Sequence, residues 1–290
     1  MPVKHLFVVG AGRMGAGIAQ LAAQRGIQVT LMDVTEDLVR AGVERTAKSL
    51  QGRVDKGKLT AEDREAALSR ISAATRLSDA SPCDFALEAI VEDIGVKRKV
   101  FGELEEAVAD GAVLASNTTA LSISEIAAST RCPERVIGMH FFNPPVVMKL
   151  VEIIPGMATS SRTVETTREL AADLGKDPVV TNFESPAGIV SRVLSGLLNE
   201  AVLVYEAGVA SAEDVDKAMK LGTNMPMGPL ALLDLIGLDV HMAKMDTLHR
   251  ELGDSRYRTP YLVRKMVKAG RLGVKSGKGF YEYPGSSGGP

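Results

Sequence analysis

The sequence predicts an α/β fold, a doubly wound and mostly parallel sheet, followed by an all-helical C-terminal domain. Three observations carry this expectation. Short, β-branched apolar runs that do not alternate with polar residues punctuate the first two thirds of the chain, separated by longer amphipathic stretches. The first run passes directly into Gly10-Ala11-Gly12-Arg13-Met14-Gly15. Beyond Ser185-Pro186 the short runs stop and apolar residues fall at helical spacing instead. The 290 residues carry 34 Lys and Arg against 36 Asp and Glu, with 45% hydrophobic and 24% charged residues. That balance excludes a disordered chain and lacks the basic excess of nucleic-acid-binding proteins.

Residues 6–9, 29–32, 85–90, 113–115, 136–139, 150–154 and 178–180 read as strands, most of them suited to burial on both faces. Residues 36–69 read as a helical excursion interrupted by the basic turn Arg53-Val54-Asp55-Lys56-Gly57-Lys58. The first domain therefore spans 1–184. In the second, 185–290, Ile189, Val190, Val193, Leu194, Leu197, Leu198, Ala201, Val202 and Tyr205 make one broad helix face. Ser211 with Asp214 resembles a capping box, and further helices are expected over 229–236, 240–252 and 260–269. Gly208, Gly222, Gly237 and Gly270 read as helix ends, and the final Gly-Ser tail as unstructured. Faces this apolar imply an interdomain or dimer interface. Two cysteines, Cys83 and Cys132, are too few for a disulfide framework. The opening residues hold no separate signal region, and no apolar run is long enough to span a bilayer, so a cytoplasmic protein is expected.

The glycine motif has the setting a dinucleotide needs, a strand before it and a helix after it, which makes the first domain Rossmann-type. Gly10 permits the tight turn, Gly12 lets backbone approach a pyrophosphate, and Gly15 lets helix and strand pack closely, with Met14 inside the turn. Asp33 follows the second strand, 18 residues past Gly15. Its carboxylate would accept bonds from the adenosine ribose and repel a 2′-phosphate, which favours NAD over NADP. The C-terminal stretch 273–279 is glycine-rich but lacks the phosphate-loop spacing.

Of the four histidines, His140 ends an apolar run, and Glu152 lies within the next one. A carboxylate inside a strand is unfavourable unless paired. If the two strands are adjacent, Glu152 can hold one imidazole nitrogen and leave the other to take a proton from a substrate hydroxyl. The same residues also fit a core histidine bonded to a buried glutamate. Ser116 ends the run at 113–115 and enters Asn117-Thr118-Thr119. It could donate to a reacting oxygen, or cap the helix that begins near Leu121. No His, Cys or Asp cluster has metal-ligand spacing, so no metal is expected.

Together these pieces resemble the L-3-hydroxyacyl-CoA dehydrogenase family, and particularly its bacterial 3-hydroxybutyryl-CoA members. The resemblance rests on Gly10-Ala11-Gly12-x-Met14-Gly15, Glu88-Ala89-Ile90-Val91-Glu92, Ser116-Asn117-Thr118, His140-Phe141-Phe142-Asn143-Pro144, Met148-Lys149-Leu150-Val151-Glu152, Pro226-Met227-Gly228-Pro229 and Ser276-Gly277-Lys278-Gly279-Phe280-Tyr281, and covers residues 3–283. It implies an NAD-dependent oxidoreductase that interconverts short-chain (3S)-3-hydroxyacyl-CoA and 3-oxoacyl-CoA. By the same resemblance His140 is the base, Glu152 orients it, and Ser116 contacts the 3-oxygen near the nicotinamide. Asn143 borders the nicotinamide, Glu92 and Lys97 lie near the ribose, and Lys56 lies near the CoA phosphates. Lys56 fits a solvated turn equally well. The resemblance also implies a homodimer through the helical domain, with no nucleic-acid or membrane partner. Ser191 stands where many members have Asn; it keeps a donor for the thioester or 3-oxygen but reaches less far. Asn199, eight residues on, sits roughly 80° around the helix and about 12 Å along it, so it does not simply replace that Asn. A 3-hydroxyadipyl-CoA or sugar-acid (L-gulonate-type) dehydrogenase would keep the same mechanism. A non-catalytic NAD-binding protein would have no need of Ser116, His140, Asn143 and Glu152 together.

Overall fold

Side-chain alternation along one strand organises the first half of the molecule. In β1 (His5–Val9), Leu6 and Val8 enter one buried apolar cluster while Phe7 and Val9 enter another. The strand is therefore covered on both faces. The computed structural model describes residues 3–81 and 83–284 and divides into two units, Met1–Ser185 and Pro186–Pro290. In the first unit β1, β2 (Gln28–Met32), β3 (Ile71–Ala74), β4 (Phe85–Glu88), β5 (Val113–Ser116), β6 (Val136–Phe141), β7 (Leu150–Pro155) and β8 (Asp177–Val180) form one sheet. Its order is β3-β2-β1-β4-β5-β6-β7-β8. Neighbouring strands are parallel except β6 and β7, which run antiparallel.

The chain winds outward from β1 in both directions, so the crevice at the carboxyl ends of β1 and β4 is the place where an open sheet of this kind takes a ligand. Helices α1 (Arg13–Gln24), α2 (Glu36–Val54) and α3 (Ala61–Leu68) put Ile18, Leu50 and Ala67 against the Leu6–Val8 face. Helices α4 (Ile94–Ala107) and α5 (Ile123–Ala127) put Phe101, Leu104 and Ile126 against the other face, and α6 (Ser161–Asp173) returns to the first with Leu170. Phe101 is fully buried, so truncation to Ala would cost about 3–5 kcal/mol. The N-termini of α2 to α6 are capped by the side chains of Thr35, Thr60, Asp93, Ser122 and Ser160. Helix α1 starts at Gly12 and has no side-chain cap.

Three features differ from the sequence expectation. Strand β3 went unread, because Ile71-Ser72-Ala73-Ala74 is a short, half-exposed edge without an apolar run. Only Ser122 caps α5, which removes the capping alternative for Ser116. Gly222 lies inside α8 (Ala212–Thr223), which is ended by Asn224 at φ 57°. The Gly-Ser tail falls outside the described residues.

The second unit holds α7 (Val190–Glu206), α8, α9 (Pro229–Ile236), α10 (Leu238–Leu252) and α11 (Tyr261–Lys268) around Leu198, Val202, Leu230, Leu233, Leu238 and Val263. Ser211 caps α8 by accepting from the Asp214 amide. Asp234 accepts from the amides of Phe280 and Tyr281 and from the Tyr283 hydroxyl, which fastens the C-terminal turn onto α9. Asn199 donates to the carbonyls of Arg256 and Arg258, so its amide is used inside this unit. Among the described residues no helix is long and apolar enough to cross a membrane.

His241, on α10, is 2% exposed. Burial, with repulsion from Lys244 second, lowers its pKa from 6.5 to about 4. The folded chain keeps this imidazole neutral, while the unfolded chain takes up a proton below 6.5. Its contribution is therefore complete above that pH and is lost as pH falls toward 4. We expect His241 to account for about 3 kcal/mol of acid destabilisation across that window. Denaturant unfolding of wild type and His241→Leu at pH 7.5, 6 and 5 checks this; parallel pH dependences would contradict it.

Candidate active site

Each phosphate-turn glycine answers a local constraint. Gly10 has φ 102°, and a Cβ there would lie 2.6 Å from the Ala89 carbonyl oxygen. A Cβ on Gly15 would strike the Gly10 carbonyl oxygen, so this pair seals the helix onto the strand. Gly12 is the opposite case: it is exposed, and a Cβ would meet nothing within 4 Å. An open approach to the N-terminus of α1, the one α-helix of this unit without a side-chain cap among the described residues, fits a pyrophosphate. Asp33 ties the turn to the second strand, its Oδ2 accepting from the Ala11 amide at 2.8 Å and its Oδ1 from the Val34 amide at 2.8 Å. Arg45 donates to the Ala11 carbonyl at 3.0 Å from beneath. Met14 is half-buried against the Leu6–Val8 cluster.

The antiparallel pairing of β6 with β7 puts His140 directly opposite Glu152. The His140 Nδ1 lies 3.2 Å from Glu152 Oε2, with both residues buried. A carboxylate can only accept here, so Nδ1 carries the proton and Nε2 is left with its lone pair. The Nε2 lies 3.2 Å from the Thr119 hydroxyl. The Phe142 ring lies 4.6 Å from the imidazole, centroid to centroid.

The structure places Ser116 elsewhere than expected. It is the last residue of β5, entirely buried, and its hydroxyl donates to Glu88 Oε2 at 2.7 Å. Strand register explains this, since Ser116 is paired beside Glu88 on β4. The hydroxyl that faces His140 is that of Thr119, three residues on. Lys97 is also fully buried, donating to Glu88 Oε1 at 2.6 Å and lying 3.5 Å from Glu92 Oε2. Glu92 is exposed, and its Oε1 accepts from the Thr118 hydroxyl at 2.6 Å and the amides of Thr119 and Ala120 at 3.0 and 3.1 Å. Thus Glu92 stands at the surface with Lys97 behind it.

Asn143 is exposed in the loop after β6. That loop is seated from two sides: Pro145 packs at Gly17 of α1, where a Cβ would come within 2.5 Å of its ring, and the buried Lys176 ammonium donates to the carbonyls of Pro145 and Met148. Burial, with the Arg25 charge second, holds the Lys176 pKa below the ordinary lysine range. Asn117 accepts from the Phe141 amide at 2.7 Å and so joins β5 to β6 beside the histidine. Lys56 is exposed in the α2–α3 turn, and Ser191 lies in the first turn of α7, in the second unit. Sequence reasoning passed over Glu88, Thr119 and Lys176. The rule applied to Glu152, that a carboxylate in an apolar run must be paired, would have singled out Glu88 in 85–90.

A mostly parallel sheet with an open glycine turn, an acidic residue just after the second strand and a carboxylate-held histidine defines a nicotinamide-dependent dehydrogenase. Residues 5–184 match the pattern of the 3-hydroxyacyl-CoA dehydrogenase NAD binding domain, and residues 189–283 that of the 3-hydroxyacyl-CoA dehydrogenase C-terminal domain. A probable 3-hydroxybutyryl-CoA dehydrogenase of Bacillus subtilis is 47% identical over 98% of both chains. The 3-hydroxybutyryl-CoA dehydrogenase of Clostridioides difficile is 47% identical over 96% of this chain and 99% of its own. The crystal structure of (S)-3-hydroxybutyryl-CoA dehydrogenase from Ralstonia eutropha superposes with a TM-score of 0.95 at 43% identity, covering 97% of this chain and 99% of that one. The chain belongs to the 3-hydroxyacyl-CoA dehydrogenase family and is an NAD-dependent oxidoreductase acting on a CH–OH group.

Gly15→Ala should disrupt the turn, because the new methyl must displace the Gly10 carbonyl. We expect NADH affinity to fall at least about tenfold, with a stability loss of about 1–3 kcal/mol. Fluorescence titration with NADH and a thermal melt measure both.

Proposed function

We propose that this enzyme interconverts short-chain (3S)-3-hydroxyacyl-CoA, 3-hydroxybutyryl-CoA foremost, with the 3-oxoacyl-CoA, and that His140 is its general acid and base. The observation that carries this reading is the orientation of His140. Glu152 occupies Nδ1, so Nε2 is free to exchange a proton with a hydroxyl, and a hydroxyl, that of Thr119, already lies 3.2 Å from it. In the forward direction Nε2 takes the proton of the substrate's 3-hydroxyl. NAD, held at the Gly10–Gly15 turn, supplies the hydride acceptor. The imidazolium that forms is balanced by Glu152 across the strand pair, and in reverse it returns the proton to the 3-oxygen. Thr119 takes the part first expected of Ser116, sharing the substrate oxygen with His140. Glu92 faces the ribose, and Asn143, on its doubly anchored loop, borders the nicotinamide. Lys56 toward the CoA phosphates completes the reading.

Acetoacetyl-CoA and NADH test this directly. His140→Gln should lower kcat by on the order of 10²–10⁴-fold, and Glu152→Gln by on the order of 10–100-fold. Turnover by His140→Gln within a few-fold of wild type would remove His140 as the base. A free sugar acid preferred over every CoA ester would overturn the substrate class.

We also propose a homodimer through the helical unit. Val193, Leu203, Leu235 and Tyr261 are exposed on that unit, with Val193 at 68% and Tyr261 at 70%. Light scattering should report twice the chain mass for wild type and a shift toward monomer for Val193→Asp. A monomeric wild type would rule this out.

A further inference from the structure

We propose that Glu88 is a positioning residue that sets the distance between Thr119 and His140; the inference rests on the reading of His140 and Thr119 given above. Glu88 ends β4 with its side chain wholly buried, and its carboxylate holds three donors from three segments. Oε1 accepts from the Lys97 ammonium at 2.6 Å and the Ile90 amide at 2.7 Å, and Oε2 accepts from the Ser116 hydroxyl at 2.7 Å. Each donor fixes a different side of the turn that follows β5. Ser116 is the residue from which that turn departs, and the Glu88 carbonyl accepts from the next amide, Asn117, at 2.8 Å. Lys97 draws in Glu92 Oε2, and Glu92 Oε1 holds the Thr118 hydroxyl and the amides of Thr119 and Ala120. The Ile90 amide fixes the strand end whose neighbour, Ala89, meets Gly10 of the phosphate turn. A path of contacts therefore runs from Glu88 through Lys97 and Glu92 to the backbone of Thr119, whose hydroxyl ends 3.2 Å from His140 Nε2.

The chemistry makes this carboxylate hard to replace. All three partners are donors, and a buried anion is the acceptor that satisfies them while neutralising a buried ammonium. An amide would either set its NH2 against the Lys97 ammonium and the Ile90 amide or turn it toward Ser116, whose hydroxyl would then have to accept, and in both cases the negative charge opposite Lys97 is lost. Lys97 would then have only Glu92 as counter-ion, and Glu92 would be drawn inward from the Thr118–Ala120 backbone. Thr119 would shift, and with it the oxygen that His140 must reach.

The test compares Glu88→Gln, Thr119→Ala and the double variant in the full-length enzyme, with acetoacetyl-CoA and NADH. Glu88→Gln should lower kcat about tenfold with KM for acetoacetyl-CoA held within about twofold, as expected for a misplaced group rather than a lost binding contact. In the Thr119→Ala background the same substitution should have no further effect on kcat, since Glu88 acts through Thr119. A kcat within twofold of wild type, or an undiminished effect on top of Thr119→Ala, would overturn the proposal. If Glu88→Gln does not fold, Ser116→Ala takes its place. It removes one of the three donors without changing charge, and should show a smaller kcat loss that likewise vanishes beside Thr119→Ala; a loss that multiplies overturns the proposal. His140→Gln in the same assay separately decides the reading on which this rests, since near-wild-type turnover there removes His140 as the base whatever Glu88→Gln shows.

Discussion

The pairing of two strands in opposite directions is the constraint on which the proposed catalytic arrangement depends. Every other neighbour pair in the sheet is parallel, but β6 and β7 turn back on each other and bring His140 and Glu152 face to face. Cross-strand partners on the same face lie close enough for a direct bond, so the register alone supplies the histidine with its orienting carboxylate. A slip of one residue would send Glu152 to the other face of the sheet. The same slip would drive Val151 and Ile153 out of the cluster they share with Ile137 and Met139 and set the Glu152 carboxylate among those apolar side chains instead. The geometry of the histidine–glutamate pair is thus held by apolar packing rather than by the polar pair itself.

Around this pair the site is built from buried charge that is matched group by group. Glu88 answers Lys97, Glu152 answers His140, and Lys176, which has no carboxylate partner among the described residues, is answered by two carbonyls. Charges removed from water are tolerated only with such partners, and a matched set has few alternative arrangements. The loops at the carboxyl ends of the strands are consequently ordered by interior groups, while their outward side chains, Glu92 and Asn143 among them, remain accessible.

Much of this was legible in the sequence, and the limit has a physical basis. Apolar runs marked β1, β2 and β4 to β7 because burial on both faces demands continuous hydrophobicity; of the two edges, β8 still carried Val179 and Val180 and was read despite its exposure, whereas β3, Ile71-Ser72-Ala73-Ala74, carried no apolar run. The glycine turn was legible because its backbone geometry admits almost nothing else. The His140–Glu152 pair could be anticipated because a carboxylate in a strand requires a partner. Assigning the right hydroxyl was beyond that reasoning. Ser116 and Thr119 are three residues apart in one polar stretch, and only the point where β5 ends decides which is swallowed by the sheet and which reaches the histidine. Likewise, Glu92 and Lys97 look equivalent in sequence, but helix α4 buries one and leaves the other outside.

The missing cap at the start of α1 carries a consequence for anyone who would stabilise this protein. A serine or aspartate at position 12 is the standard remedy for a bare helix start, and the open space at Gly12 would admit it. Yet that side chain would satisfy the very amides reserved for the dinucleotide and, if acidic, repel its phosphates. On the proposed reading of this turn, the helix is completed by the nucleotide instead of by the chain. Resistance to heat in the empty enzyme and affinity for the nucleotide are therefore opposed at this one position, and the glycine records which of the two prevailed.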